Sequence, residues 1–190
     1  MRLILASASP RRLDLLARIG VVPDAVVPAD VDERVPRGEL PRDHALRLAR
    51  AKAEAVAVQQ PNALVLAADT VVTVGRRILP KVEDEASLRA CMALLSGRRH
   101  RVITGVAVAV PGGAVRTRLV ETMIAIKRLS PEEIDFYASQ GEWRGKAGGY
   151  ALQGYGEVYV RHIAGSYSNV VGLPLAETRL LLKAAGYPLA

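Results

Sequence analysis

The 190-residue chain is 50% hydrophobic, 24% charged and only 4% aromatic, and it carries a formal net charge of +7. That apolar content suffices to bury a sizeable core in a single domain over residues 1–190, and no apolar run is long enough to span a membrane. The excess charge is spread out, with 16 basic and 12 acidic side chains in residues 1–100 and 10 and 7 in residues 101–190, which argues against a stable nucleic-acid partner and suits a small polyanion.

The elements alternate along the chain as in a mixed α/β protein. Leu3–Ala6 reads as a short buried strand, too short and wrongly flanked for a signal peptide, which places the protein in the cytoplasm. Ser9 and Pro10 read as N-cap and first residue of a helix reaching Ile19, closed by Gly20. Ala25–Val27 is a strand and Arg42–Val58 a long helix with Ala45, Leu46, Leu48, Ala49 and Ala53 on one side. Leu64–Ala68 is a fully apolar strand continued by Val71–Val74, and Asp84–Leu95 is a helix in which Cys91 sits as an inert core thiol. Val102–Val110 and Val115–Lys127 flank Pro111-Gly112-Gly113, a hairpin signal. Pro131–Gln140 is a helix, Val158–Ile163 a strand, GSYSN a loop, and the last helix runs from about Pro174 to Ala185. Strands joined both by helices and by a hairpin imply a mixed sheet.

Several stretches stand apart from this framework. Arg11 and Arg12 place two cations at a helix N-terminus, against the helix dipole, so either the pair is simply solvated or an anion binds there. Asp69 ends a buried strand and needs a cation, a metal or strong donors, whether as a structural or a catalytic carboxylate. Asp30, Asp32 and Glu33 form either an ordinary polar loop or a source of oxygen ligands for Mg²⁺. Only five of the 26 basic residues are Lys, and three of these, Lys52, Lys81 and Lys146, fall in otherwise distinctive stretches, while Lys127 and Lys183 look like surface positions. GKAGGYALQG combines four glycines with Gln153, whose amide can read a nucleobase edge; a ligand-free turn system is the other reading. Ser166, Ser168 and Asn169 could cap backbone groups as readily as touch a ligand, and His44, His100 and His162 show no metal-ligand spacing.

In succession, SASPRR, VDE, RLARAKA, AADTVV, ILPK, LSG, HRVITG, GKAGGYALQG and GSYSNVVGLPL closely resemble the Maf family of nucleoside triphosphate pyrophosphatases over residues 7–175. The resemblance implies an elongated mixed β-sheet with flanking helices and a central cleft, related to the inosine-triphosphatase (Ham1) type. It also implies hydrolysis of a nucleoside triphosphate to monophosphate and pyrophosphate with a divalent cation, Mg, Mn or Co, and a homodimer. SPRR, ADT and the Gln resemble the branch acting on dTTP and UTP, which assigns substrate choice to Arg11, Thr70 and Gln153. The alternatives are the branch preferring 7-methyl-GTP and a non-enzymatic role in cell division. By the same resemblance Asp69 is the proton acceptor, Glu33 and Asp69 hold the metal, and Ser7, Arg12, Lys52 and Lys81 are the polar groups around the triphosphate; Lys146, from its place in the glycine-rich stretch, is a further candidate for substrate binding. One departure is Pro80-Lys81-Val82, where the family commonly has Gly-Lys-Pro around the loop lysine.

Overall fold

A computed structural model describes residues 1–189. In chain order the elements are β1 (Leu3–Ala6), α1 (Pro10–Ala17), β2 (Ala25–Val26), α2 (Pro41–Gln59), β3 (Leu64–Val74), β4 (Arg77–Leu79), β5 (Lys81–Val82) and α3 (Glu85–Leu95). There follow β6 (Arg99–Ala109), β7 (Val115–Ile126), α4 (Pro131–Gln140), β8 (Lys146–Ala147), a 3-10 turn (Tyr155–Tyr159), β9 (Val160–Ala164), α5 (Tyr167–Val171) and α6 (Leu175–Ala184). Among the described residues no helix is long and apolar enough to cross a membrane.

The main sheet has the order β2-β1-β3-β6-β7-β9, with β4 paired to β3. It is mixed: β1 runs parallel to β2 and β3, while β4 is antiparallel to β3 and β9 to β7. The α/β class with a mixed sheet and flanking helices is therefore as the sequence indicates.

The chain falls into two compact units. The first comprises residues 1–70, 104–120 and 172–190, and its core joins Ile4 and Ala6 of β1, Ala49, Ala53 and Val56 of α2, Val65 and Ala67 of β3, and Ala107 of β6. Its alanines allow close layering, and Gly105 takes this furthest. A Cβ there would lie 2.4 Å from the Ala45 carbonyl oxygen of α2, so only glycine lets β6 and α2 approach as they do. The second unit comprises residues 71–103 and 121–171, with a bulkier core of Leu88, Met92, Leu95, Tyr137, Trp143 and Tyr159, in which Cys91 is buried.

Local chemistry explains where the elements stop. Helix α1 ends at Ala17, two residues before the sequence pattern does. Gly20 N–H donates to Ala17 O and Val21 N–H to Leu16 O, a Schellman closure made possible by Gly20 at φ +70°. Helix α4 carries a full capping box between Ser130 and Glu133. GSYSN holds a helical turn, α5, because Ser166 Oγ accepts from Asn169 N–H and serves as its cap. The ILPK stretch, read as loop, forms β4 and β5.

Candidate active site

In the first unit β3 is fully buried from Leu64 to Ala68, and Asp69 follows at 6% exposure. Its counter-charge comes from α2. Ala45, Ala49, Lys52, Ala53 and Val56 recur at three- and four-residue spacing on the buried face of that helix, so Lys52 is a lysine placed at a core position. Its Nζ donates to Asp69 Oδ1 at 2.7 Å and pairs with Glu33 Oε1 at 2.6 Å. The Lys52 and Asp69 side chains are 10% and 9% exposed, whereas that of Glu33 is 41% exposed.

Glu33 lies on an irregular segment that α2 braces from outside. Arg47 donates from Nε and Nη2 to the two Glu39 oxygens at 2.6 and 2.9 Å, and from Nη2 to Arg34 O at 3.1 Å. His44 Nδ1 lies 2.6 Å from Glu39 Oε2. The Arg47 hydrogen bonds, opposed by burial and helped by His44, hold the Glu39 pKa down at about 2. Of the acidic cluster read from the sequence, Glu33 turns to Lys52, while Asp32 pairs with Arg34 on the surface.

Next to Asp69, Thr70 shares hydroxyl contact with Thr104 at 2.9 Å. Arg12 is anchored at three points: Nε donates to Gly172 O at 2.9 Å, Nη1 to Ser7 Oγ at 2.9 Å and Nη2 to Thr70 Oγ1 at 3.4 Å. Burial lowers the Arg12 pKa to about 10; Asp69 acts to raise it, Arg11 to lower it and Glu33 to raise it. One guanidinium thus ties together Ser7, Thr70 and the residue opening the third stretch of this unit. Arg11 is half-buried, its pKa is lowered by burial, and among the described residues it has no hydrogen-bond or ion-pair partner. The Ser9 side chain makes no capping bond either, so the positive end of α1 carries a half-desolvated, unneutralised guanidinium. That arrangement is receptive to an anion.

Lys81, Lys146 and Gln153 lie in the second unit. Lys81 is opposite Ala147 and Val82 opposite Lys146 in the β5–β8 ribbon. Gly145 N–H donates to Val82 O at 2.8 Å and Gly148 N–H to Pro80 O at 3.0 Å, so the ribbon uses the carbonyl of Pro80 and makes no demand on its missing N–H. The Lys146 ammonium donates to the Glu142 carbonyl. Gly148 and Gly149, at φ +69° and +74°, press against Val72, Val82 and Leu88. Gln153 is exposed, and its side chain has no hydrogen-bond partner among the described residues. Asn169 is fully buried and donates to Val102 O and Thr122 Oγ1, each at 3.0 Å, which gives it a structural task.

Sequence reasoning thus named seven residues that the structure gathers in the first unit: Ser7, Arg11, Arg12, Glu33, Lys52, Asp69 and Thr70. It missed Thr104 and the Gly172 carbonyl, which complete the Arg12 and Thr70 network. Their signals, ITG and VVG, are visible only as parts of longer motifs. Two carboxylates already closed on one cation are a donor set that suits a hard divalent ion. Among the described residues no three His, Cys, Asp or Glu side chains collect, so such an ion would take its other ligands from water and substrate oxygens.

A dTTP/UTP pyrophosphatase of Novosphingobium aromaticivorans is 61% identical over 97% of this chain and 92% of its own length. Another, from Caulobacter vibrioides, is 60% identical over 97% and 96%. The solved structure of a HAM1 protein from Coxiella burnetii covers 97% of this chain and 99% of its own at 16% identity and a TM-score of 0.53, a likeness of fold. The family model described as Maf-like protein matches residues 2–185, and with relatives at this level of identity over nearly the whole length, the chain belongs to the Maf family.

Proposed function

We propose that this protein hydrolyses dTTP and UTP to the nucleoside monophosphate and pyrophosphate. The relatives named above carry that activity in their names, and the observation on which the reading rests is the cluster in the first unit. An acid-base-acid group, with Lys52 and Asp69 buried and Glu33 at its exposed edge, shares the first unit with an unpartnered arginine at a helix N-terminus. The triphosphate docks on Arg11, whose guanidinium has unused forked donors, and on the backbone N–H groups opening α1. Arg12 spends three donors on the protein and so acts first as the strut that holds Ser7 and Thr70.

Asp69 accepts a proton from a water that attacks the α-phosphorus; the bond from that phosphorus to the bridging oxygen breaks, and pyrophosphate leaves. Lys52 orients Asp69 for that transfer through the bond it donates to Oδ1, and Lys52 and Lys81 are the cations assigned to offset charge developing on the leaving group. Lys146 and Gln153 are the substrate-binding residues of the glycine-rich stretch, and Gln153 reads the pyrimidine edge. Glu33 and Asp69 are the residues that would hold a divalent cation, Mg, Mn or Co, which when bound neutralises phosphate charge and acidifies water.

The test is pyrophosphate release from dTTP, UTP, CTP, GTP and 7-methyl-GTP with each cation. Preference for dTTP and UTP is expected. Preference for 7-methyl-GTP would transfer the protein to a different specificity, and absence of release with every nucleotide would leave a binding or regulatory role.

A further inference from the structure

An exposed side chain on a loop can discriminate between bases only if its backbone is fixed beforehand. Gln153 is such a side chain, and three groups from different elements hold its loop. Tyr150 Oη meets His100 Nε2 of β6 at 2.7 Å in a buried contact. Tyr137 Oη of α4 accepts from Ala151 N–H at 3.0 Å. The Glu142 carboxylate accepts from Tyr155 N–H at Oε2, 3.0 Å, and from Gly156 N–H at Oε1, 2.9 Å.

The third group differs from the other two. Glu142 grips the chain two and three residues beyond Gln153, and it lies over Gly154, where a Cβ would come within 2.0 Å of Oε2. The N-cap position of the 3-10 turn Tyr155–Tyr159 is Gly154, which has no side chain to cap it, so Glu142 does so, accepting from the N–H of Tyr155 thirteen residues away. A carboxylate shared by two successive backbone N–H groups is a strong acceptor that pins the segment directly after Gln153. The Glu142 carbonyl in turn receives the Lys146 ammonium. A single residue therefore connects Lys146 to the exit of the Gln153 loop.

We infer that Glu142 is a positioning residue for nucleobase selection, fixing through its carboxylate the backbone that presents Gln153 without touching substrate. The inference rests on the base-reading role proposed for Gln153.

Wild type, Gln153→Ala, Glu142→Gln and the double variant are compared for kcat and KM with dTTP, UTP and GTP, alongside melting temperature. In Glu142→Gln an amide NH₂ faces a backbone N–H, so at least one of the two bonds is lost. The KM for dTTP and UTP is expected to rise and the preference over GTP to fall by about tenfold, with kcat within about twofold. The same change made on Gln153→Ala should alter selectivity no further, because the two act through one contact. Gly154→Ala supplies a second perturbation, since its methyl displaces the carboxylate without changing the charge, and it should reproduce the loss. If Gln153→Ala keeps the wild-type ranking, the base-reading role fails and the inference with it. If Gln153→Ala loses the ranking while Glu142→Gln or Gly154→Ala only melts earlier, Glu142 is a fold-holding cap and the inference alone is overturned. Failure of both variants to fold has that same meaning.

Discussion

Asp69→Asn keeps the shape of the side chain and one acceptor oxygen while removing one of two negative charges that face Lys52. The Lys52 ammonium retains Glu33 at 2.6 Å, and the amide oxygen can still receive the bond that Asp69 Oδ1 accepts at 2.7 Å. The loss is the difference between a charged and a neutral acceptor, about 1–2 kcal/mol. That is well below the roughly 3–5 kcal/mol of a buried charge left with no partner. At about 2–4 °C per kcal/mol for a chain of this length, the melting temperature should fall by about 2–8 °C. Turnover should fall far more, because a general base contributes about 10²- to 10⁴-fold and an amide cannot accept the proton. The KM should stay within a few-fold, since Arg11 and the α1 N-terminus are untouched. Continuous pyrophosphate release with dTTP, run beside a thermal melt, measures both. An Asp69→Asn protein retaining more than about a tenth of wild-type kcat would remove Asp69 from the proton transfer. A melting drop with unchanged turnover would make the ion pair a purely structural device.

Arg11→Ala should raise KM for all triphosphates by about tenfold while leaving the melting temperature unchanged or higher, because a cation that opposes the α1 dipole and Arg12 is removed; an unchanged KM would remove Arg11 from triphosphate docking. Gly105→Ala should destabilise by about 1–3 kcal/mol in urea denaturation, because the new methyl meets the backbone of α2 and not a movable side chain; a neutral result would show that β6 and α2 can separate freely. Burial lowers the His100 pKa to about 4 in the folded protein, below its ordinary 6.5. The stability this confers is complete above pH 6.5 and is lost as the pH falls through 4, by at most about 3 kcal/mol. Urea midpoints at pH 7 and 4.5 should therefore drop more for wild type than for His100→Gln, and equal drops would assign the acid sensitivity to other groups.

How much of this was legible in the sequence depends on how locally each feature is encoded. Helix α4 was readable to the residue because Pro131, Glu132, Glu133 and the following Gly141 specify both of its ends. The end of α1 was not, because its closure depends on which carbonyl the Val21 N–H reaches. Asp69 stood out as a charge at the end of an apolar run, but nothing local says that its partner is a lysine seventeen residues earlier on a helix, or that Glu33 closes the same ammonium. The Arg12 strut is less legible still, since the Gly172 carbonyl lies 160 residues further along the chain. Short ribbons such as β5–β8 carry no periodicity at all: two residues a side cannot show one, and the pairing here is extended by Gly145 and Gly148, which flank β8.

The lysine enclosed by Glu33 and Asp69 has a consequence for how the protein meets its environment. It is a tethered counter-ion. Two carboxylates that would otherwise repel each other are satisfied from within the chain, so the first unit can mature without recruiting any ion from solution, in contrast to small domains whose structural zinc must arrive before they fold. A chelator should then silence turnover while leaving the melting curve in place. For the same reason, a cation entering between Glu33 and Asp69 would have to displace an ammonium already in place.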